Sequence, residues 1–411
     1  MTLKQENLLH LSQRLSGVSE STTLQLNAAV QSMKAKGLDV INLTAGEPDF
    51  WVPDVAKEAA IKAVQANCSK YTPVTGILEL REAITQKTNQ QQSWIGQTHP
   101  WKASDVVVTN GAKQALFNSF LALLDSGDEV LIPSPYWLSY PDMVKIAGGI
   151  PKLIKSSYSQ GFKINPSQLK SALGPKVKIL ILNSPNNPTG AMYTRDEFAA
   201  LADILIHAPQ AQGVWVVSDE IYDRITLDNT PFCSFLEAAP ELAHRTITVN
   251  GMSKGAAMTG WRIGWSVAPK IVTEGMAILQ GQSTSGINAL AQWASLAALG
   301  LPDQYFLSQA KNFTKRRNLM LENLKKASKL ELSVPDGAFY FFIGVQAYLK
   351  SGEDSISFCK NLLEKAKVAV VPGVVFGEPK FVRVSFSTDE KTILEGCQRI
   401  VQYLESLKTW G

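Results

Sequence analysis

The chain has 411 residues, 45% of them apolar, with 40 basic and 36 acidic side chains and a net charge of +4. A balance this mild excludes nucleic acid or a membrane surface as the main partner, and the apolar share is enough for a core spread over two or three domains, or one large domain with a smaller companion. Cys68, Cys233, Cys359 and Cys397 form no CxxC pair, and His10, His99, His207 and His244 have no site spacing, so neither a metal site nor a disulfide framework is expected, and a reducing, cytoplasmic setting is.

Residues 1–20 mix charged and polar side chains without the apolar stretch of a signal peptide, and no run reaches the length of a membrane span. Residues 1–45 read as a helical lead-in, with Leu24, Leu26 and Val30 as apolar anchors, that runs into a short strand at 40–43. Gly46 follows, where a glycine either makes a turn or lets a ligand approach the backbone. Helices are expected over about 54–67 and 78–90, on either side of a proline- and glycine-containing loop that carries Tyr71.

From residue 105 the texture changes. Continuous apolar runs alternate with helical patterns, the sign of buried parallel strands in an α/β fold. The run at 105–109 leads into Gly111 and Ala112 at the start of a helix, where free backbone N–H groups and the helix dipole favour an anion such as phosphate. The run at 129–132 leads to Trp137, which either stacks on a planar ring or is core. The run at 178–182 leads to Asn187, and Thr194 with Glu197 has the spacing of a capping box. The run at 214–217 ends in Asp219, Glu220 and Tyr222; two acids behind a buried strand are costly unless paired or used. The run at 246–249 leads to Ser253, Lys254 and Arg262. Lys254 is either a surface lysine in a glycine-rich turn or a buried amine, whose lowered pKa makes it a nucleophile or base.

In an open α/β sheet ligands bind at the carboxyl ends of the strands. The residues gathered there suit an aromatic cation with a phosphate arm. Neither GxGxxG nor a Walker loop occurs, and Gly281 to Ser285 falls short of GxSxG with no strand before it. Beyond about residue 295 the pattern is helical and mixed. Strands are expected at 338–342, 368–371 and 381–387, with Arg383 sharing a face with Phe381 and Ser385 and either paired to an acid or awaiting a ligand carboxylate. The last helix is expected to open on a Ser387–Glu390 capping box and to bury Ile393, Cys397, Ile400, Val401 and Leu404.

Ser-Pro-Asn-Asn-Pro-Thr-Gly at 184–190, Asp-Glu-Ile-Tyr at 219–222, Ser-Lys-x-x-x-Met-Thr-Gly-Trp-Arg-Ile-Gly at 253–264 and Val-Arg-Val-Ser-Phe at 382–386 together resemble the class I and II aminotransferases, pyridoxal phosphate enzymes of fold type I, from about residue 21 to 404. The resemblance implies a mostly parallel central sheet flanked by helices, with a smaller α+β domain. Residues 46–295 would form the large cofactor domain and 296–411 the small one, with 1–45 packing on the latter. It makes Lys254 the Schiff-base lysine and proton shuttle, and Asp219 the partner of the pyridine nitrogen. Asn187 and Tyr222 would bond the phenolic oxygen, Trp137 would stack on the ring, and Gly111, Ala112 and Arg262 would hold the phosphate. Arg383, Asn187 and the Gly46 backbone would bind the substrate α-carboxylate. Tyr71 would reach the phosphate of the neighbouring subunit in a homodimer with shared active sites. Relatives that place a phosphate-binding serine three residues before the lysine differ here, where Gly251 stands; Ser253 is the substitute to test.

The stretch from Gly111 to Asn118 is similar to the bacterial branch of aspartate aminotransferases, subgroup Ib. There Lys113 would meet the distal carboxylate of aspartate or glutamate; otherwise it is a solvated first-turn residue. The implied reaction is ping-pong transfer from aspartate to 2-oxoglutarate through pyridoxamine phosphate. Prephenate or aromatic substrates, a lyase on the same fold and a non-enzymatic binding protein are the alternatives.

Overall fold

Runs of aliphatic residues between positions 106 and 267 build a seven-stranded sheet, and shorter runs after residue 330 build a second one. This computed structural model describes residues 12–15, 17–18, 22–93 and 98–407; most of residues 1–20 and the side chain of Leu24 lie outside them. The first third comprises α1 (Thr22–Ala35), β1 (Ile41–Asn42), α2 (Asp54–Gln65), α3 (Leu78–Gln91), β2 (Val106–Asn110), α4 (Ala112–Leu123) and β3 (Glu129–Ser134). The middle adds α5 (Ser139–Ile146), β4 (Ile150–Lys155), α6 (Pro166–Ala172), β5 (Val177–Asn183), α7 (Arg195–His207), β6 (Trp215–Asp219), α8 (Phe235–Ala238), β7 (Thr246–Gly251) and β8 (Ile263–Val267). Then come α9 (Lys270–Ser283), α10 (Ala289–Leu299), α11 (Asp303–Leu324), β9 (Glu331–Leu332), β10 (Tyr340–Gly344), α12 (Ser355–Ala366), β11 (Val368–Ala369), β12 (Val371–Pro372), β13 (Phe381–Ser385) and α13 (Glu390–Leu407).

The large sheet has the order β2-β8-β7-β6-β5-β3-β4. Only β8 runs against its neighbours. The five expected strands β2, β3, β5, β6 and β7 therefore point the same way and end on one edge. Two strands were not expected. β4 is an edge strand whose alternation is blurred by Pro151 and two lysines. β8 is interrupted by Gly264, where an added Cβ would stand 2.1 Å from the Ala112 nitrogen; a glycine is the only residue that lets α4 start against this strand.

Alternation along β5 sends Leu180 and Leu182 to one face, with Phe198, Leu201 and Leu205 of α7, and Ile179 and Ile181 to the other, with Leu116 and Phe120 of α4 and Met276 of α9. Both faces are covered, so the strands read as continuous apolar runs. Each such side chain contributes about 1.5–3 kcal/mol on full burial.

The second sheet, β12-β13-β10-β9, is antiparallel, and β1 pairs in parallel with β11, tying residues 41–42 to the C-terminal part. Its core joins Phe339, Phe341 and Val384 to Phe313 and Leu324 of α11 and to Ile393, Cys397, Ile400, Val401 and Leu404 of α13. The Thr194–Glu197 capping box opens α7 as expected. The start of α13 differs from expectation. Asp389 accepts the N–H and hydroxyl of Thr392, while the buried Ser387 donates its hydroxyl to the Glu47 carbonyl at 2.8 Å. Ser387 thus anchors the loop that follows β1 instead of capping a helix.

Candidate active site

The loops leaving the common strand edge enclose a cavity of about 670 Å³. Gly46, Ala112, Lys113, Trp137, Asn187, Asp219, Tyr222, Ser253, Lys254, Arg262 and Arg383 all line it. Its walls carry four cations, Lys113, Lys254, Arg262 and Arg383, against two carboxylates, Glu47 and Asp219, so it suits a guest with more than one negative charge. Tyr71 is not in the lining and is 97% exposed.

Lys254 leaves the end of β7 on a short loop anchored by the buried Met252 and Ala256. Its ammonium donates to the Gly46 carbonyl and faces the rings of Tyr222 and Phe339 at 5.8 and 5.9 Å. Burial, then the charge of Arg383, lowers its pKa to about 8, with Glu47 opposing. Lys254 is half-buried, with its side chain in the cavity lining.

Asp219 ends β6 and is buried. Its Oδ2 accepts the Tyr140 hydroxyl at 2.6 Å and its Oδ1 the Ile221 N–H at 3.2 Å. Burial pushes its pKa up to about 6, against the pull of those donors and of Lys254. Glu220 faces the other way, accepting the hydroxyls of Ser218 and Ser234 and the Phe235 N–H, and burial pushes it to about 7. Strand alternation thus separates the two acids: one serves the cavity, the other the packing of α8.

Arg383 is buried with its guanidinium between the rings of Tyr340 (4.3 Å) and Phe376 (5.1 Å). It donates to Asn187 Oδ1 at 2.9 Å and to the Thr44 carbonyl at 3.0 Å, and its Nε has no hydrogen-bond partner among the described residues. Among the described residues no carboxylate forms an ion pair with it. A buried, rigidly held guanidinium without an acid is built for a ligand carboxylate.

At the opposite wall, α4 begins without a side-chain cap, behind Gly111 at φ +76°. A Cβ at Gly111 would stand 2.6 Å from the Arg262 guanidinium. Arg262 itself adopts a left-handed backbone (φ 58°) and donates to the carbonyls of Thr259 and Asn110. Free helix N–H groups beside a guanidinium form an anion cradle that a side chain at Gly111 would fill. Lys113 lies over the Trp137 ring at 5.0 Å, and burial followed by the charge of Arg262 lowers its pKa. Ser253 is buried in the lining. Gly251 could not be a serine without a shift, because its Cβ would meet the Ile263 carbonyl at 2.8 Å.

The lining also includes residues that were not expected, among them Glu47, Tyr140, Asn183 and Tyr340. Asn183 accepts the Asn187 N–H and donates to the Asp219 carbonyl. Tyr140 lies one helical turn beyond Trp137, a spacing that hints at a shared direction; the rings meet edge-on at 5.3 Å. Tyr340 sits in an aromatic run that reads only as core.

This arrangement, a half-buried amine sharing one cavity with a buried carboxylate and with Lys113, Arg262 and Arg383 on an α/β sheet edge, fits a class of group-transfer enzyme. The family model for aminotransferase class I and II matches residues 38–400, and the chain belongs to that family. It is 42% identical over 405 residues to the "Probable aspartate/prephenate aminotransferase" of Rhizobium leguminosarum, covering 97% of this chain and 99% of the relative. It is 40% identical over 400 residues to the aspartate aminotransferase of Geobacillus stearothermophilus, covering 97% and 100%. The crystal structure of the Rhizobium meliloti aspartate aminotransferase superposes with a TM-score of 0.91 at 38% identity, covering 97% of this chain and 99% of that one.

Proposed function

We propose that this aminotransferase moves the amino group of L-aspartate to 2-oxoglutarate, in ping-pong fashion, with pyridoxal 5'-phosphate held in the cavity. The carrying observation is the half-buried Lys254 amine in one chamber with Asp219, Arg262 and Arg383. The chemistry of the walls fits the cofactor: an anion cradle at Gly111, Ala112 and Arg262 with Ser253 nearby, a carboxylate at Asp219 for a ring nitrogen, donors at Asn187 and Tyr222 for a phenolic oxygen, and Trp137 for the ring face. Bound there, the cofactor supplies an electron sink for the charge left at the substrate Cα.

The chain's own groups supply the rest. Lys254 is the amine that would hold the cofactor, since its side chain lines the cavity. With its pKa lowered to about 8, chiefly by burial, the same amine would carry the proton that leaves the substrate Cα. Asp219, kept ionised by Tyr140 and the Ile221 N–H, holds the ring nitrogen protonated. Arg383, with Asn187 and the Gly46 backbone, fixes the α-carboxylate bidentately so that the Cα–H bond faces Lys254. Lys113 meets the distal carboxylate.

The active unit is a homodimer in which Tyr71 serves the neighbouring subunit's phosphate; the near-complete exposure of Tyr71 and of Trp51 supports this. Residues 46–295 act as the cofactor domain and 296–411 as the small domain, with 1–45 packed against it; the separate sheets and the β1–β11 pairing support that division. Free Cys68 and Cys233, both partly accessible, fit a reducing cytoplasm. No helix among the described residues is long and apolar enough to cross a membrane.

A second acceptor, prephenate, is favoured by the name of the Rhizobium leguminosarum relative. The test is an absorbance titration of cofactor-loaded protein with aspartate, then 2-oxoglutarate, with prephenate and phenylalanine in parallel. Aspartate should remove the visible band and 2-oxoglutarate restore it. A response to phenylalanine but not to aspartate would overturn the substrate assignment, and no band after adding the cofactor would overturn the enzyme itself.

A further inference from the structure

Two buried phenols meet beside the cavity. Tyr222 follows β6 and Tyr340 opens β10, and their hydroxyl oxygens lie 2.8 Å apart. The ring of Tyr340 also covers one face of the Arg383 guanidinium. Sheet register causes this: Tyr340 stands opposite Ser385, two residues from Arg383 and on the same face. Tyr340 therefore touches both the arginine that would take the substrate carboxylate and the phenol that would serve the cofactor.

Each phenol has one proton to donate. Whichever donates within the pair, the other keeps its proton for a different acceptor. Burial raises the pKa of both, well above the ordinary phenol for Tyr222, and Arg383 is the main group opposing that rise at Tyr340. The Arg383 guanidinium stands 4.3 Å from the centre of the Tyr340 ring, whereas the Lys254 ammonium is 5.8 Å from that of Tyr222, and the nearer cation makes the Tyr340 hydroxyl the better donor of the two. A hydroxyl that accepts a hydrogen bond also becomes a stronger donor itself. The charged groups facing the pair are Arg383, Asp219, Lys254 and Glu47.

We propose that Tyr340 is a positioning residue for Tyr222: it donates to the Tyr222 oxygen and so directs the Tyr222 proton into the cavity, toward the phenolic oxygen of the cofactor. The proposal rests on the cofactor assignment above. The ring of Tyr340 has a separate duty, to hold the Arg383 guanidinium in place by stacking on it.

The test compares cofactor-loaded wild type, Tyr340→Phe, Tyr222→Phe and the double variant, reading the pH midpoint of the visible absorption. Weaker donation leaves the cofactor's phenolic oxygen richer in electrons, so the neighbouring proton is held to higher pH. The midpoint should rise by about 0.5–1 pH unit in Tyr340→Phe, the size of one lost hydrogen bond. It should rise further in Tyr222→Phe, and the double variant should match Tyr222→Phe alone. Affinity for a dicarboxylate inhibitor should change less than about twofold in Tyr340→Phe, since the ring remains on Arg383. If that variant does not fold, 2,3-difluorotyrosine at position 340 keeps the shape and strengthens the donor, and the midpoint should fall. An unchanged midpoint in either case, or additive shifts in the double variant, overturns the proposal. A wild type with no visible band overturns the cofactor assignment instead.

Discussion

The Tyr140 hydroxyl donates to Asp219 Oδ2 across 2.6 Å on the buried side of the cavity. This bond opposes the burial that would otherwise neutralise the carboxylate. Tyr140→Phe should let the Asp219 pKa climb above about 6 and weaken its grip on a protonated ring nitrogen. A charge-assisted hydrogen bond of about 1.5–3 kcal/mol corresponds to a 10- to 100-fold loss of cofactor affinity. Fluorescence titration of the cofactor-free protein measures it, and wild-type affinity in the variant would show that Tyr140 only fills space.

Lys254 makes stability depend on pH in a definite direction. Its folded pKa, about 8, lies below the unfolded value near 10.4. Between those values the unfolded chain binds more protons, so this residue makes the cofactor-free fold more stable as pH rises from about 8 to 10. The full effect is about 3 kcal/mol. Lys254→Met should lack this rise, and the difference in urea midpoint between the two proteins should narrow as pH increases. Parallel curves would contradict the burial of the amine.

Asp219 and Glu220 act with the opposite slope at lower pH. Their folded values of about 6 and 7 lie above the ordinary carboxylate range. The folded state therefore binds more protons between about pH 4 and 7, and these groups withdraw stability as pH rises through that window. Glu220→Gln keeps the shape and removes one titration, so its melting temperature should fall less from pH 5 to 7 than that of wild type.

On the proposed reading Lys113 would meet the substrate's second carboxylate. Lys113→Met should lower kcat/KM for aspartate by about 100-fold, in the range for loss of one member of a desolvated ion pair. Activity with phenylalanine should change little. Equal losses on both substrates would assign Lys113 to the cofactor instead.

Gly251→Ser tests the one departure from the phosphate pattern of some relatives. The new side chain would meet the Ile263 carbonyl and the Gly264 Cα, at 2.8 and 2.9 Å from its Cβ. Overpacking of this kind costs about 1–3 kcal/mol. Thermal melting should show that loss with no gain in cofactor affinity; tighter binding would mean that the loop yields.

The strands that carry the site were legible in the sequence because both faces of the large sheet are covered, so β2, β3, β5, β6 and β7 read as unbroken apolar runs and their ends could be searched for chemistry. The candidates Lys254, Asp219 and Asn187 follow from that, since each stands at or just beyond the end of such a run. What only the tertiary structure decided are relations across distance. Position 383 reads slightly better as an acid's partner than as a ligand's; that no carboxylate among the described residues pairs with its guanidinium depends on how β13 meets the loop after β1. Tyr140 and Tyr340 look like core in the sequence because a phenol's ring is apolar, and which atom its hydroxyl reaches is fixed by packing. β8 escaped notice because Gly264 breaks the apolar run where α4 presses on it. Local runs record which faces are buried, whereas hydrogen-bond partners more than 75 residues apart, such as Tyr140 with Asp219 or Tyr222 with Tyr340, exist only once the chain has closed.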